Sequence, residues 1–203
     1  MRVVLASSSP RRASLLKQIG LNFITDPANI DESAEGWHKP GELAEKLAAL
    51  KGKAVSQRNP DSLIIAADTV VWLNNRLLGK PTAFEEASEM LQLLSNNTHS
   101  VFTGVFVTKT DSAGRSESDF SFYERTKVTF SSLSEKEIRS YISEAKPYDK
   151  AGSYGIQDDL GSLFVSNIEG DYYNVVGFPV NSFYQNLRTW MPDVHQILFP
   201  AGT

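Results

Sequence analysis

Ser62-Leu63-Ile64-Ile65-Ala66-Ala67-Asp68-Thr69-Val70-Val71-Trp72-Leu73 decides the fold. Its first six residues form a nearly continuous apolar run, the pattern of a central strand buried on both faces. The run stops abruptly at Asp68; Thr69 to Leu73 reads as extended again. Asn74-Asn75 then suggests a hairpin turn, though without the usual glycine.

Upstream of this strand, Arg2 to Ala6 is a short Val/Leu-rich run read as another buried strand. Ser9-Pro10 starts a helix, with Ser as N-cap and Pro at the first helical position. Leu15, Leu16 and Ile19 form its inward face, and Gly20 caps its end. A strand around Leu21 to Thr25 leads into an acidic loop with Asp31 and Glu32. Pro40 to Arg58 reads as a helix with Leu43, Leu47, Leu50 and Ala54 on one side.

Downstream, Thr82 to Ser95 carries a capping box, Thr82 with Glu85, and an inward row of Ala87, Met90, Leu91 and Leu94. Val101 to Thr108 and Phe120 to Phe130 pair through a polar Asp-Ser-Ala-Gly loop. Ser134 with Glu137 opens a helix that stops before Pro147. Leu163 to Ser166 reads as a strand, Pro179 to Trp190 as a closing helix, and Phe199 to Thr203 as a loose tail. Strands and helices are mixed rather than strictly alternating, which predicts a mixed-sheet α/β or α+β fold rather than a barrel. At 203 residues the chain suits one domain, with room for a smaller lobe beside a cleft.

Composition narrows the function. The net charge of -4 argues against a general nucleic-acid surface, but not against a small anion held by a few local cations. Without cysteines, thiolate nucleophiles, zinc ribbons and iron–sulfur clusters are excluded. No stretch approaches the ~20 apolar residues of a membrane span, and MRVVLASSSPRR turns polar too soon for a signal peptide, so the expected setting is the cytoplasm.

Four constellations carry chemistry. In Ser7-Ser8-Ser9-Pro10-Arg11-Arg12, two arginines in a first helical turn oppose the helix dipole. A phosphate bound there by the free amides and the guanidinium groups resolves the conflict; two solvated arginines are the bland alternative. Asp68 after an apolar strand suits a Mg²⁺ ligand or a general base, against a strand-ending turn cap. Lys80 sits in a Gly79-Lys80-Pro81 turn and matters only if it faces the same cleft. Periodicity puts Lys51 and Lys53 on opposite borders of their helix stripe and does not choose between them. Tyr148-Asp149-Lys150-Ala151-Gly152-Ser153-Tyr154-Gly155-Ile156-Gln157 has two glycines suited to close ligand approach, and Gln157 offers an amide to a base edge.

Taken in order, LASSSPRRASLLKQIG, Asp31-Glu32, LAALK, IIAADTVV, GKP, HSVFTGV, YDKAGSYGIQ and VVGFPV resemble the Maf family of nucleotide pyrophosphatases. The resemblance implies a fold like that of inosine-triphosphate pyrophosphatases. It also implies hydrolysis of a nucleoside triphosphate to monophosphate and pyrophosphate with a divalent cation, Mg²⁺ or Mn²⁺. By motif, Asp68 matches the proposed catalytic acid–base, and Ser7 and Arg12 the phosphate-binding segment. Lys51 matches the lysine of the LAxxK helix, Lys80 the lysine before proline, and Glu32 an acidic loop position joined to Asp68 as a metal ligand. Arg11, Thr69 and Gln157 resemble the specificity set of the dTTP/UTP branch; the 7-methyl-GTP branch carries Trp, Gln and Glu there. A homodimer is implied as well. Asp158-Asp159, where the family usually has Gly, is a departure. The competing expectation is a nucleotide sensor or division regulator that binds without turnover.

Overall fold

The computed structural model describes residues 1–30, 38–158 and 160–200. Asp31, Glu32 and Asp159 therefore lie outside the described residues, as do the last three of the expected tail.

Strands β1 (Arg2–Leu5), β2 (Ile24–Thr25), β3 (Ser62–Leu73), β4 (Arg76–Leu78), β5 (Thr98–Thr110), β6 (Ser116–Phe130) and β7 (Val165–Glu169) form one sheet. Its order is β2-β1-β3-β5-β6-β7, with β4 added beside β3. β1 runs parallel to β2 and β3, whereas β3–β4, β3–β5, β5–β6 and β6–β7 are antiparallel. The sheet is mixed, as its sequence pattern predicts.

β3 is the organising strand: the extended run that resumes at Thr69 is the same strand as Ser62–Ala67, and Asp68 lies in the middle of twelve continuous residues. One edge pairs with β5 from Leu63 to Trp72. The other edge is divided. Ser62–Ile65 pair with β1, and Val71–Leu73 pair with β4. Between these partners the edge opens, and Asp68 and Thr69 lie in the opening. Asn74 and Asn75, both at positive φ, make the β3–β4 turn without glycine, as asparagine tolerates this region better than most residues.

The two faces of β3 bury different partners. Ile64, Ala66 and Val70 pack with Ala44, Leu47, Ala48 and Val55 of α2 (Pro40–Ser56). Leu63, Ile65, Ala67 and Val71 join the larger core, with α1 (Pro10–Gln18), α3 (Phe84–Leu94), α4 (Glu135–Ala145), α5 (Tyr172–Val176), α6 (Val180–Trp190) and α7 (Pro192–Leu198). Because strand side chains alternate, Asp68 projects toward α2 and Thr69 toward the opposite face. Close approach of α2 requires Gly104 in β5, where a β-carbon would fall on the Ala44 carbonyl.

Local expectations succeed or fail for identifiable reasons. Ser9 and Ser134 cap α1 and α4, the latter in a complete capping box. In α3 the N-cap is Ala83, and Thr82 hydrogen-bonds Glu86 rather than Glu85. In α2, Leu50 points to solvent, because the face that fits the sheet is the small-residue row Ala44, Ala48 and Gly52. Gly161–Phe164 forms a 3-10 turn, which shifts the last strand to Val165–Glu169. Phe199 is not loose; its ring lies 5.1 Å from that of Tyr184. No helix among the described residues is long and apolar enough to cross a membrane.

Candidate active site

A cleft of about 240 Å³ opens where β1 ends against the unpaired edge of β3. Ser7, Arg11, Arg12, Lys51, Asp68, Thr69, Lys80 and Gln157 all line it, so the structure brings together every described residue the sequence singles out. Strand ends beside a divided sheet are where ligands gather in α/β folds. Here the end is that of β1.

The chain leaves β1 through Ser7, whose Oγ accepts from the Ser9 amide at 3.1 Å. Ser9 caps α1 and Pro10 fills its first position, so the helix N-terminus is directed at the cleft. No acidic residue occupies that first turn. Arg12 reaches back across the turn, donating from Nε to the Gly177 carbonyl (2.9 Å), from Nη1 to Ser7 Oγ (3.3 Å) and from Nη2 to Thr69 Oγ1 (3.0 Å). One guanidinium thereby joins the first loop, β3 and the end of α5.

On the α2 face, Lys51 Nζ forms a short ion pair with Asp68 Oδ1. Both side chains are about one-tenth exposed. Lys53, by contrast, is exposed. The choice that periodicity leaves open is settled by which side of α2 meets the sheet. A buried carboxylate needs a countercharge, and Lys51 supplies it from the helix packed on this face.

The far wall is the 148–158 loop. Asp149 pairs with Arg11 (2.7 Å) and Lys150 (2.9 Å). Burial opposes ionisation of Asp149, but the hydrogen bonds from Lys150 and Arg11 outweigh it and hold its carboxyl below the usual range. Asp158 is not among the groups that line the cleft. It lies 3.4 Å from Lys150 Nζ, accepts from the Tyr141 hydroxyl at 3.1 Å, and accepts from Gln157 Nε2 at 3.2 Å. Tyr154 is buried against His99, with 2.7 Å between the Tyr154 hydroxyl and His99 Nε2. Burial raises the Tyr141 and Tyr154 hydroxyls above the ordinary tyrosine range, so both stay protonated as structural hydrogen-bonding groups. The Gly152 amide donates to the Gly79 carbonyl (3.0 Å), which brings exposed Lys80 to the rim.

Sequence reasoning missed Asp149, Lys150, Tyr154 and Gly177 as lining groups. The first three sat within a motif already noticed, and the adjacent opposite charges beside two glycines were the available signal. Among the described residues no group of three His, Asp or Glu could cage a metal ion. Asp68 pairs with Lys51 through Oδ1, and its second carboxylate oxygen fits a cation of the Mg²⁺ type, which takes one or two carboxylates and completes its shell with substrate phosphates and water.

A family profile described as Maf-like protein matches residues 2–190. A dTTP/UTP pyrophosphatase of Bacillus cereus is 44% identical over 193 residues, covering 95% of this chain and 97% of that protein. A dTTP/UTP pyrophosphatase of Bacillus anthracis matches with the same identity and cover. Among solved structures, a HAM1 protein from Coxiella burnetii matches with a TM-score of 0.44 and 14% identity over 64% of this chain and 73% of that one. A profile match along nearly the whole chain, and 44% identity over almost its full length, make this chain a member of the Maf-like protein family.

Proposed function

We propose that this chain is a nucleoside-triphosphate pyrophosphatase acting on dTTP and UTP. The observation that carries the reading is the placement of a buried Asp68–Lys51 pair and the Arg12–Ser7 turn at the N-terminus of α1 around one cleft. The names of the Bacillus relatives supply the substrate class.

In this reading the triphosphate lies along the N-terminus of α1, with Arg12, Lys51 and Lys80 neutralising its oxygens. Water attacks the α-phosphorus, the bond from that phosphorus to the α–β bridging oxygen breaks, and pyrophosphate departs with the electron pair. The water proton passes to Asp68, whose carboxylate Lys51 aims from α2. Where Mg²⁺ or Mn²⁺ is bound, Asp68 and, as the family resemblance implies, Glu32 would hold it, and it would supply charge neutralisation of the transferring group. Catalysis is mainly positioning and electrostatics, since charge develops on phosphate oxygens. In the same cleft Arg11, Thr69 and Gln157 face the base, Thr69 directly beside Arg12. The same reading carries a homodimer in the cytoplasm.

The test is pyrophosphate release from a panel of nucleoside triphosphates with Mg²⁺ or Mn²⁺, wild type against Asp68→Asn. Release from dTTP and UTP that falls about 10³-fold in the variant, with nucleotide binding retained, is the expected result. Binding without release in the wild type would replace the enzyme by a nucleotide sensor.

A further inference from the structure

Thr69 Oγ1 belongs to a chain of hydrogen bonds whose directions follow from counting protons. A hydroxyl has one hydrogen and two lone pairs. The Arg12 guanidinium only donates, so Thr69 accepts from Nη2 at 3.0 Å. The Asn174 carbonyl only accepts, so Thr103 directs its single hydrogen there, also at 3.0 Å. The 3.0 Å contact between the two threonine oxygens then has one solution: Thr69 donates to Thr103. The Thr69 hydrogen is turned into the protein, and one lone pair is what its oxygen keeps for a ligand.

The far end of this relay is sealed. Thr103 and Asn174 are fully buried, and the Asn174 side-chain amide donates to the Val101 carbonyl and to Thr126 Oγ1. The near end is open. Thr69 and Gly177 both line the cleft, and a β-carbon on Gly177 would stand 3.7 Å from Thr69 Oγ1. Gly177, at φ +126°, takes a backbone conformation that favours glycine.

We propose that Thr103 is a positioning residue that holds Thr69 as an obligate hydrogen-bond acceptor, so that the cleft prefers a base presenting a ring N–H. Uracil and thymine present one at N3. Cytosine presents an acceptor at N3, and two facing acceptors leave both unpaired, which selects by rejection. The inference rests on the nucleotide reading above and adds the direction of a single hydrogen.

The experiment compares kcat/KM for UTP and CTP in wild type, Thr103→Val and Thr103→Ser, with thermal melting as a check on folding. Wild type is expected to favour UTP by about tenfold or more, as for one well-placed polar contact. Thr103→Val frees the Thr69 hydrogen to rotate toward cytosine N3, and the UTP-to-CTP ratio falls at least severalfold. Thr103→Ser keeps the relay and restores the ratio. A second arm needs no variant: 3-methyl-UTP, which lacks the N3 hydrogen, is turned over by wild type at least tenfold more slowly than UTP. Equal turnover of UTP and 3-methyl-UTP, or an unmoved ratio in folded Thr103→Val, overturns the relay while leaving the pyrophosphatase reading intact. Absence of turnover of dTTP, UTP and CTP alike overturns that reading itself.

Discussion

Replacing Lys51 by Met isolates what the buried ion pair contributes. Methionine matches the length of the lysine stem and suits a packed helix face, so the perturbation is confined to the charge. Asp68 would be left with its side chain about one-tenth exposed and no countercharge from α2. Removing one partner of a buried pair costs about 3–5 kcal/mol, and the slight exposure here places the loss near 3. For a chain of this size each kcal/mol lowers the melting temperature by about 2–4 °C, so Lys51→Met should melt about 6–12 °C below wild type. The double variant Lys51→Met/Asp68→Asn removes both charges and should recover at least half of that loss, although neither protein retains turnover. Thermal and urea melts of the four proteins complete the cycle. A single variant that melts within about 2 °C of wild type, or a double variant no more stable than the single, would refute the reasoning.

Three further outcomes follow from the same structure. Gly104→Ala should cost about 3 kcal/mol or prevent folding, because the new carbon meets the fixed backbone of α2 rather than a flexible side chain; urea melts measure it. Gln157→Glu should lower kcat/KM for UTP and dTTP about tenfold or more without moving the melting temperature, since Gln157 is exposed and its replacement brings like charge beside Asp158. Burial lowers the His99 pKa from 6.5 to about 4. Between these values the unfolded chain binds the proton and the folded one does not, so stability should fall by about 3 kcal/mol as pH drops from 7 to 4. His99→Gln should lose that part of the pH dependence in melts across the same range.

The sequence makes much of this molecule legible, within limits set by the range of the interactions. The two-sided burial of β3, the Asn74-Asn75 turn and the caps on α1 and α4 are local, and their patterns predict them. The facing of α2 is not local. Leu43 and Leu47 of its leucine stripe are buried, but Ala44, Ala48 and Gly52 permit the closer approach to Gly104 and Phe106, and the stripe is turned so that Leu50 falls outside. That rotation buries Lys51 and exposes Leu50. Asp68 interrupts an apolar run that resumes at Val70; only the opening between β1 and β4 on the same edge and the countercharge of Lys51 show how a charge is tolerated mid-strand. α5 and α7, of five and seven residues, are too short for helical periodicity to register. The relay from Thr69 through Thr103 to Asn174 joins residues 34 and 71 positions apart, beyond any spacing rule.

The divided edge of β3 also bears on how such a protein can change over generations. Two adjacent codons specify side chains on opposite sides of one sheet, Asp68 toward α2 and Thr69 toward α5. Substitution at position 69 can therefore alter the Arg12 and Thr103 side of the cleft while the Asp68–Lys51 pair on the other side is inherited untouched. Insertion or deletion of a single residue within Ala66–Val70 has no such freedom, since it would exchange the two sides at once. Diversity in this segment is expected as replacement at constant length.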